Sequence, residues 1–199
     1  MGSKPQRESF HRGDTRPAAI EAAAALVAAQ GRDAITLRGV ADALGINHRA
    51  LYRQFASREE LLFAVAECGF VQLADLLETV AALPSDQRST ALVRLYAGFA
   101  LDQPHLYDLM FSLPLRTWFH SAHGVGPPLR RVVKVAAAAV QHEGPDTGQS
   151  KLRVMRIWGL VHGLVGLYRA GAFKARSNRL AIEFIVDAAR PSVSTAVDD

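Results

Sequence analysis

A cluster of polar side chains lies in the first third of the chain: Asn47, His48, Arg49, Tyr52 and Arg53. At helical spacing they share the outward side of a short helix, because Leu51 and Phe55 fall together on the other side. Arg can donate two hydrogen bonds to a guanine edge, Asn suits adenine, and a Tyr hydroxyl or a backbone N–H suits phosphate. The cluster therefore predicts a surface that reads the major groove of DNA. The alternative is a solvated polar face, which is commoner for polar residues taken singly.

The residues before this cluster predict the scaffold that presents it. Thr36 is a suitable N-cap, Gly45 can adopt the positive φ that ends a helix, and Asn47 can cap the next helix. A helix, a tight glycine turn and a second helix make the helix-turn-helix pattern. The first helix owes its apolar stripe to four residues at i, i+3, i+4 and i+7, which are Leu37, Val40, Ala41 and Leu44.

A long helix is predicted directly after this segment. Ser57 and Glu60 have the spacing of a capping box at its start. The helix can pack on both the N-terminal head and the rest of the chain, which makes it a lever between them. Its apolar side consists of Leu62, Val65, Gly69, Phe70, Leu73, Leu77 and Val80.

The whole chain of 199 residues is predicted to be all-α, because apolar residues recur at helical spacing and no run alternates with period two. About nine helices are expected, at 16–30, 37–44, 48–54, 58–82, 87–101, 103–112, 126–142, 150–171 and 178–189. The domains are a disordered basic arm (1–14), a helix-turn-helix domain (15–58), a ligand-binding and dimerisation domain (59–190) and a flexible tail (191–199). The net charge of +4 is placed unevenly, since residues 1–58 carry nine Lys or Arg and five Asp or Glu. This bias suits a polyanionic partner.

The segment TLRGVADALGINHRALYRQF, residues 36–55, resembles the DNA-binding head of the tetracycline-repressor-like (TetR-like) family of bacterial regulators. The resemblance is strongest from Arg16 to Leu62, and residues 158–163 (WGLVHG) are similar to a Trp…His-Gly signature of one C-terminal subclass. It implies phosphate contacts by Thr36, Tyr52 and Arg58. It also implies base contacts by residues 47–49.

The chain departs from the family pattern at three positions near this face. Ala50 replaces a common Thr or Ser and so loses a hydroxyl contact. Gln54 replaces a common His and can still donate to phosphate, while Arg58 replaces a common Lys and keeps its charge. The predicted DNA-binding set is therefore Thr36, Asn47, His48, Arg49, Tyr52, Arg53, Gln54 and Arg58.

Aromatic and soft residues in the C-terminal two-thirds indicate either a pocket for a small apolar ligand or simply a core. A pocket needs apolar walls and a few orienting polar groups. For any one of these residues the core is the commoner explanation, and His162 is at least as easily a hydrogen-bonded core histidine as a ligand contact. The candidate ligand-binding residues are Tyr96, Phe99, Met110, Trp118, Trp158 and His162.

The last two predicted helices, 150–171 and 178–189, are the best candidates for a homodimer interface. The first has more apolar surface than one core face needs, and two helices from each chain would form a four-helix interface, as the family resemblance also implies. The predicted interface residues are Val154, Val161, Leu164, Phe184 and Ile185.

Other function classes have little support in the sequence. His120 and His123 lack carboxylate or Cys partners at metal-binding spacing, and there is no phosphate loop, nucleophile elbow or carboxylate pair, so no metal, cofactor or catalytic residue is predicted. No run of eighteen apolar residues or secretion signal occurs, which predicts a cytoplasmic protein without membrane contact. We expect a dimeric regulator that binds a double-stranded DNA operator and is released by a small apolar molecule. The alternatives are a helical ligand-binding or scaffolding protein and, with less support, an enzyme.

Overall fold

The computed structural model describes residues 15–112, 126–140 and 149–193. In these ranges the chain forms nine α-helices and no strand, which confirms the all-α prediction. Two short 3₁₀ segments, Arg32–Ala34 and Thr79–Ala82, follow α1 and α4. The helices are α1 (Thr15–Gln30), α2 (Leu37–Ala43), α3 (His48–Tyr52), α4 (Arg58–Glu78), α5 (Ser85–Asp102), α6 (Pro104–Ser112), α7 (Gly126–Val140), α8 (Gln149–Arg169) and α9 (Asn178–Val193).

The predicted helix bounds differ from the observed ones mainly at C-termini. The lever helix is α-helical only to Glu78, and its last expected turn is 3₁₀. The final helix continues to Val193, past the expected end at 189. The predicted arm (1–14), residues 194–199 and Trp118 lie outside the described residues.

The head is built from α1, α2 and α3 around a small core. Ala19, Ala23 and Val27 recur every fourth residue on α1 and are fully buried, so one stripe of small side chains lets the other helices approach closely. Leu51 and Phe55 are also fully buried, as their spacing predicted. This packing leaves the polar side of α3 on the surface.

Helix α4 connects the head to the body, and α6 reinforces this connection. A Cβ on Gly69 of α4 would lie 2.7 Å from Sδ of Met110 on α6, so the two helices meet without spare room. On its other side α6 contacts the end of α1, where a Cβ on Gly31 would lie 3.4 Å from Nδ1 of His105. The Arg32 guanidinium also donates to the Ser112 hydroxyl. Helices α4 and α6 therefore both contact head and body.

The rest of the body packs around α4 and α5. Helix α7 lies on α4, α9 lies on α5, and α8 contacts α5, α7 and α9. Arg131 of α7 forms ion pairs with Asp75 and Glu78 near the end of α4 that is farthest from the head. Within the described ranges no helix is long and apolar enough to cross a membrane.

Candidate nucleic-acid interface and apolar cavity

The turn between α2 and α3 is fixed by side-chain and backbone hydrogen bonds. Thr36 caps α2 by accepting from the Gly39 N–H at 2.9 Å, and Asn47 caps α3 by accepting from the Arg49 N–H at 2.9 Å. Gly45 has φ +65°, and the N–H groups of residues 45 and 46 donate back to the carbonyls of Asp42 and Ala41. This is a Schellman ending followed directly by a capped helix. The predicted helix-turn-helix is therefore present, with the predicted caps.

The polar side of α3 is exposed as predicted. Tyr52 keeps about half of its surface open to solvent, at 55%, and its ring meets His48 edge to face with centroids 6.4 Å apart. Within the described part of the chain, Arg49 and Arg53 form no salt bridge. These two cations are free to meet an external anion. The other exposed members of the predicted set are Thr36, Asn47 and His48.

Gln54 is half-buried, and its backbone carbonyl accepts a hydrogen bond from the Arg16 guanidinium. Arg16 lies over the Phe55 ring at 4.3 Å and pairs with Glu60 at 3.2 Å, so it fixes the end of α3 against α1 and α4. This role of Arg16 was not predicted from the sequence. An Arg in the first turn of a helix has no distinctive spacing to its partners when they are 38 and 44 residues away.

Arg58 occupies a position different from the one expected. Its Nε donates to the Ile35 carbonyl at 2.7 Å and its Nη2 to the Arg32 carbonyl at 2.5 Å. The guanidinium thus fastens the connection between α1 and α2 to the start of α4. This arrangement argues against the phosphate contact that the family resemblance implied for Arg58.

An apolar cavity of about 40 Å³ lies in the body between α4, α5, α6, α7 and α8. One water molecule needs roughly 10–15 Å³ of such space, so the cavity can hold only a few atoms as it stands. A larger molecule would enter only if a wall moved. The walls include Phe70, Leu73, Leu77, Leu92, Val93, Tyr96, Phe111, Leu129, Val132, Ala136, Val154, Ile157, Trp158 and Val161.

A chain of hydrogen bonds joins the polar groups beside this cavity. The Trp158 indole donates to the Tyr96 hydroxyl at 2.8 Å, and that hydroxyl lies 2.9 Å from the hydroxyl of Tyr107. Tyr107 in turn contacts Nδ1 of His162. An indole can only donate, so the Tyr96 oxygen accepts from Trp158. One assignment that fits these distances has each tyrosine donating onward to Nδ1 as the acceptor, with the ring proton of His162 on Nε2. Both tyrosine hydroxyls and the Trp158 indole therefore have partners within the protein.

Burial shapes the ionisation of this network. Desolvation raises the pKa of Tyr107 to about 12 and raises the pKa of Tyr96 as well. It lowers the pKa of His162 below its ordinary value. All three groups are therefore neutral at pH 7.

The depressed pKa of His162 predicts a pH-dependent stability. The unfolded chain binds a proton at His162 below about pH 6.5, whereas the folded chain binds it only at lower pH because burial lowers the pKa of this histidine. The free energy of unfolding therefore falls as the pH decreases from about 7 towards 5. His162→Gln keeps an acceptor for Tyr107 but does not titrate, so its loss of stability over this range should be smaller. Urea titrations at both pH values measure the difference, with Lys151→Gln as a surface control. Equal losses of stability in wild type and His162→Gln would show that His162 is not the source of this pH dependence.

The structure divides the predicted ligand-binding residues into two groups. Tyr96 and Trp158 line the cavity, and His162 borders it through the hydrogen-bonded network. Phe99 and Met110 are buried but do not line it, so they belong to the core. Tyr107 joins Tyr96 and His162 and was missed, because a single Tyr on α6 gives no sign of a partner 55 residues away.

Three of the five predicted interface residues are wrong, since Val154, Val161 and Ile185 are buried inside the protomer. Their stripe faces the core, and they cannot offer surface to a second chain. Leu164 is half-buried, and Phe184 is exposed. A different stripe of α8 and α9 is open instead, with exposed fractions of 46–53%. We call it the α8–α9 face, and its large residues are Leu152, Met155, Leu167, Leu180 and Phe184.

Three glycines lie along α8 between Met155 and Leu167 and extend this face. A Cβ at Gly159, Gly163 or Gly166 would have no neighbour within 4 Å, so the backbone of α8 is accessible there. Single exposed apolar residues are ordinary on a protein surface, but a contiguous stripe on two neighbouring helices is typical of an interface.

No group of three His, Cys, Asp or Glu side chains in the described ranges is arranged to hold a metal ion. Two groups of predicted site residues come together in the fold. One is the network beside the cavity, and the other is the exposed polar side of α3, which we call the α3 face: Asn47, His48, Arg49, Tyr52 and Arg53.

Comparison with known proteins agrees with this architecture. The family model of bacterial regulatory proteins of the tetR family matches residues 19–65. The model of the tetracyclin repressor-like C-terminal domain matches residues 89–189, which is half of the 199-residue chain. A search of curated proteins gave no match.

Several solved structures share the fold at low sequence identity. A Rhodococcus protein of unknown function has 22% identity and a TM-score of 0.72, covering 94% of this chain and 100% of that one. A TetR/AcrR-family transcriptional regulator from Thermobifida fusca has 19% identity and a TM-score of 0.68, covering 92% and 99%. A tetR-family regulatory protein from Rhodococcus has 18% identity and a TM-score of 0.65, covering 94% and 100%. Because both its helix-turn-helix segment and its C-terminal half match, the chain belongs to the TetR family of bacterial transcriptional regulators.

Proposed function

We propose that this regulator is a homodimeric, ligand-responsive repressor that binds an operator through residues 15–58 and responds to its ligand through residues 59–190. The observation that carries the DNA-binding half is the α3 face, where Arg49 in the first turn of α3 and Arg53 at its C-terminal end are exposed and have no salt-bridge partner in the described ranges. A helix N-terminus also attracts phosphate. The proposed contacts are Thr36, Asn47, His48, Arg49, Tyr52, Arg53 and Gln54.

The α8–α9 face supports the proposal of a dimer. Its exposed Leu167 and Phe184 would be buried if two copies paired α8 and α9 into a four-helix interface. The exposed glycines of α8 allow the two backbones to approach closely. A two-fold axis there would place two heads on successive major grooves of one operator.

The cavity supports an apolar ligand. Its walls are almost entirely hydrocarbon, and the Tyr96 hydroxyl already has partners inside the protein. A ligand therefore gains mainly from burial of apolar surface, which contributes roughly 25 cal/mol for each Å². A polar ligand would lose its hydration without replacement.

The same walls provide a route from ligand to DNA. Phe70 and Leu73 belong to α4 and Phe111 belongs to α6, and both helices contact the head. A molecule larger than the present cavity must displace a wall, and the close contact at Gly69 means that α4 or α6 cannot shift towards the other helix without pushing it. Ligand binding would thus favour a different head position, and release from DNA follows if that conformer fits the operator poorly.

Selection of bound duplexes from a random-sequence DNA pool tests the DNA-binding half. A sequence made of two related half-sites should be enriched, and purified protein should retard it at physiological salt. Enrichment of no sequence would instead favour the helical ligand-binding or scaffolding protein.

Enlarging the cavity should create measurable affinity for a small hydrocarbon. Leu73→Ala removes a fully buried wall residue and should cost about 3–5 kcal/mol of stability, part of which benzene restores by filling the space. We expect benzene to raise the Tm of Leu73→Ala. Leu61→Ala is the matched control, since Leu61 is equally buried but does not line the cavity. Equal rises in both variants would contradict a ligand site here.

A further inference from the structure

The loop between α8 and α9 has an unusual charge. From Arg169 to Ile182 the chain contains four cations, Arg169, Lys174, Arg176 and Arg179, and no Asp or Glu. Arg169 is paired with Asp108 on α6. The other three are exposed and form no salt bridge in the described part of the chain.

This loop is held in a defined position. Gly171 has φ +77°, and the N–H of Ala172 donates to the Leu167 carbonyl at 2.9 Å, which closes α8. The Phe173 ring then lies between Tyr168 and Phe184, with centroids 5.5 and 4.8 Å away.

Packed and exposed residues alternate along the loop. Phe173 and Ala175 are half-buried, whereas Lys174 and Arg176 are exposed. The two cations are therefore presented from a fixed backbone.

The loop lies at the end of the body that faces the head. The end of α8 is tied to α6 by the Arg169–Asp108 pair, and Asn178 at the start of α9 donates to the Leu101 carbonyl near the end of α5 at 3.1 Å. Helix α6 in turn contacts α1 of the head. In the proposed dimer the loop adjoins the α8–α9 face, so two copies would lie near the two-fold axis and between the two heads.

Arg179 adds a second observation. It lies in the first turn of α9, which has no acidic residue there. The helix dipole disfavours a cation at this end, and a bound anion would offset this cost.

We propose that Lys174, Arg176 and Arg179 form a second DNA-binding surface, which neutralises phosphates of the duplex between the two half-sites read by α3. This inference rests on the proposed DNA-binding dimer. Binding by this surface would not depend on base sequence, because its contacts are to the phosphate backbone of the DNA.

The test compares DNA affinity at different salt concentrations. The probe is the duplex selected from the random pool, and the variant is Lys174→Gln with Arg176→Gln and Arg179→Gln. If at least one phosphate is neutralised by each protomer, the slope of log K against log salt should become shallower by about 1.8 or more. The loss of affinity relative to wild type should then shrink about tenfold between 50 and 200 mM salt.

The matched control removes three cations from the opposite end of the body by Arg130→Gln, Lys134→Gln and Lys151→Gln. Lys151 lies at the other end of α8, about 27 Å along the helix from Arg169. For this control variant, the slope of log K against log salt should equal that of wild type. Sedimentation checks that both variants remain dimers. If the loop variant is not a dimer, the double variant Lys174→Gln with Arg176→Gln takes its place. This double variant keeps Arg179, which directly precedes Leu180 of the α8–α9 face in the sequence.

Two failures are distinguishable. If wild type selects no DNA, the proposed function itself fails. If wild type binds and the loop and control variants have the same slope, or the loss of affinity is the same at every salt concentration, the loop does not contact phosphate and this inference is overturned.

Discussion

Replacing Arg49 and Arg53 together by Gln should weaken operator binding at least about a hundredfold. A bidentate contact between Arg and guanine contributes about 1–3 kcal/mol. The proposed dimer loses four arginines, so even if only two of them make such contacts, at about 1.4 kcal/mol each, the loss is about 2.8 kcal/mol, which is a hundredfold. The fold should be unaffected, because both side chains are exposed and have no salt-bridge partner in the described ranges. Gln also has nearly the helix propensity of Arg.

The measurement is the Kd for the selected duplex, with Tm as the check on folding. Arg130→Gln with Lys134→Gln removes the same charge from the surface of α7 and should change the Kd less than threefold. A double variant of the α3 face that binds as tightly as this control would show that these arginines do not meet DNA.

The head could be predicted closely because its determinants are local. Thr36, Gly45 and Asn47 act on backbone groups within five residues, and each capping bond or positive φ was implied by residue type and spacing. Nothing in that spacing predicted the contacts of Arg16, because its partners after α3 and in α4 are distant in sequence. Arg58 shows the limit of carry-over from a family pattern, since its charge is present but turned towards backbone carbonyls.

The proposed dimer face could not be predicted residue by residue because α8 is apolar on two sides. From the sequence, the periodic stripe through Val154 and Val161 is equally consistent with the core and with an interface. In the structure α8 packs against α5, α7 and α9, and this packing buries the stripe in the core. The exposed stripe is interrupted by glycines, which lowers its hydrophobicity and conceals it. Helical spacing therefore left the side of α8 open, and of the predicted interface residues Phe184 alone lies on the proposed α8–α9 face.

Placing a charge on the exposed stripe should therefore separate the protomers without unfolding them. Leu167→Glu with Phe184→Glu puts two carboxylates on each α8–α9 face, where pairing would bury them next to their symmetry mates at a cost of several kcal/mol. We expect monomers by sedimentation, with helical circular dichroism retained. Operator affinity should fall by about 10²–10⁴, because the second half-site is no longer bound intramolecularly.

Two matched variants separate this interface from other effects of charge. Val71→Glu adds a carboxylate at an exposed apolar residue of α4, away from the α8–α9 face, and should remain a dimer with unchanged operator affinity. Ile185→Glu adds one at a fully buried residue of α9 and should unfold the chain, because the charge has no water or partner. Dimers that persist in the Leu167→Glu and Phe184→Glu double variant would place the interface elsewhere. The loop cations would then lose their position between the heads, while the α3 face would keep its proposed role.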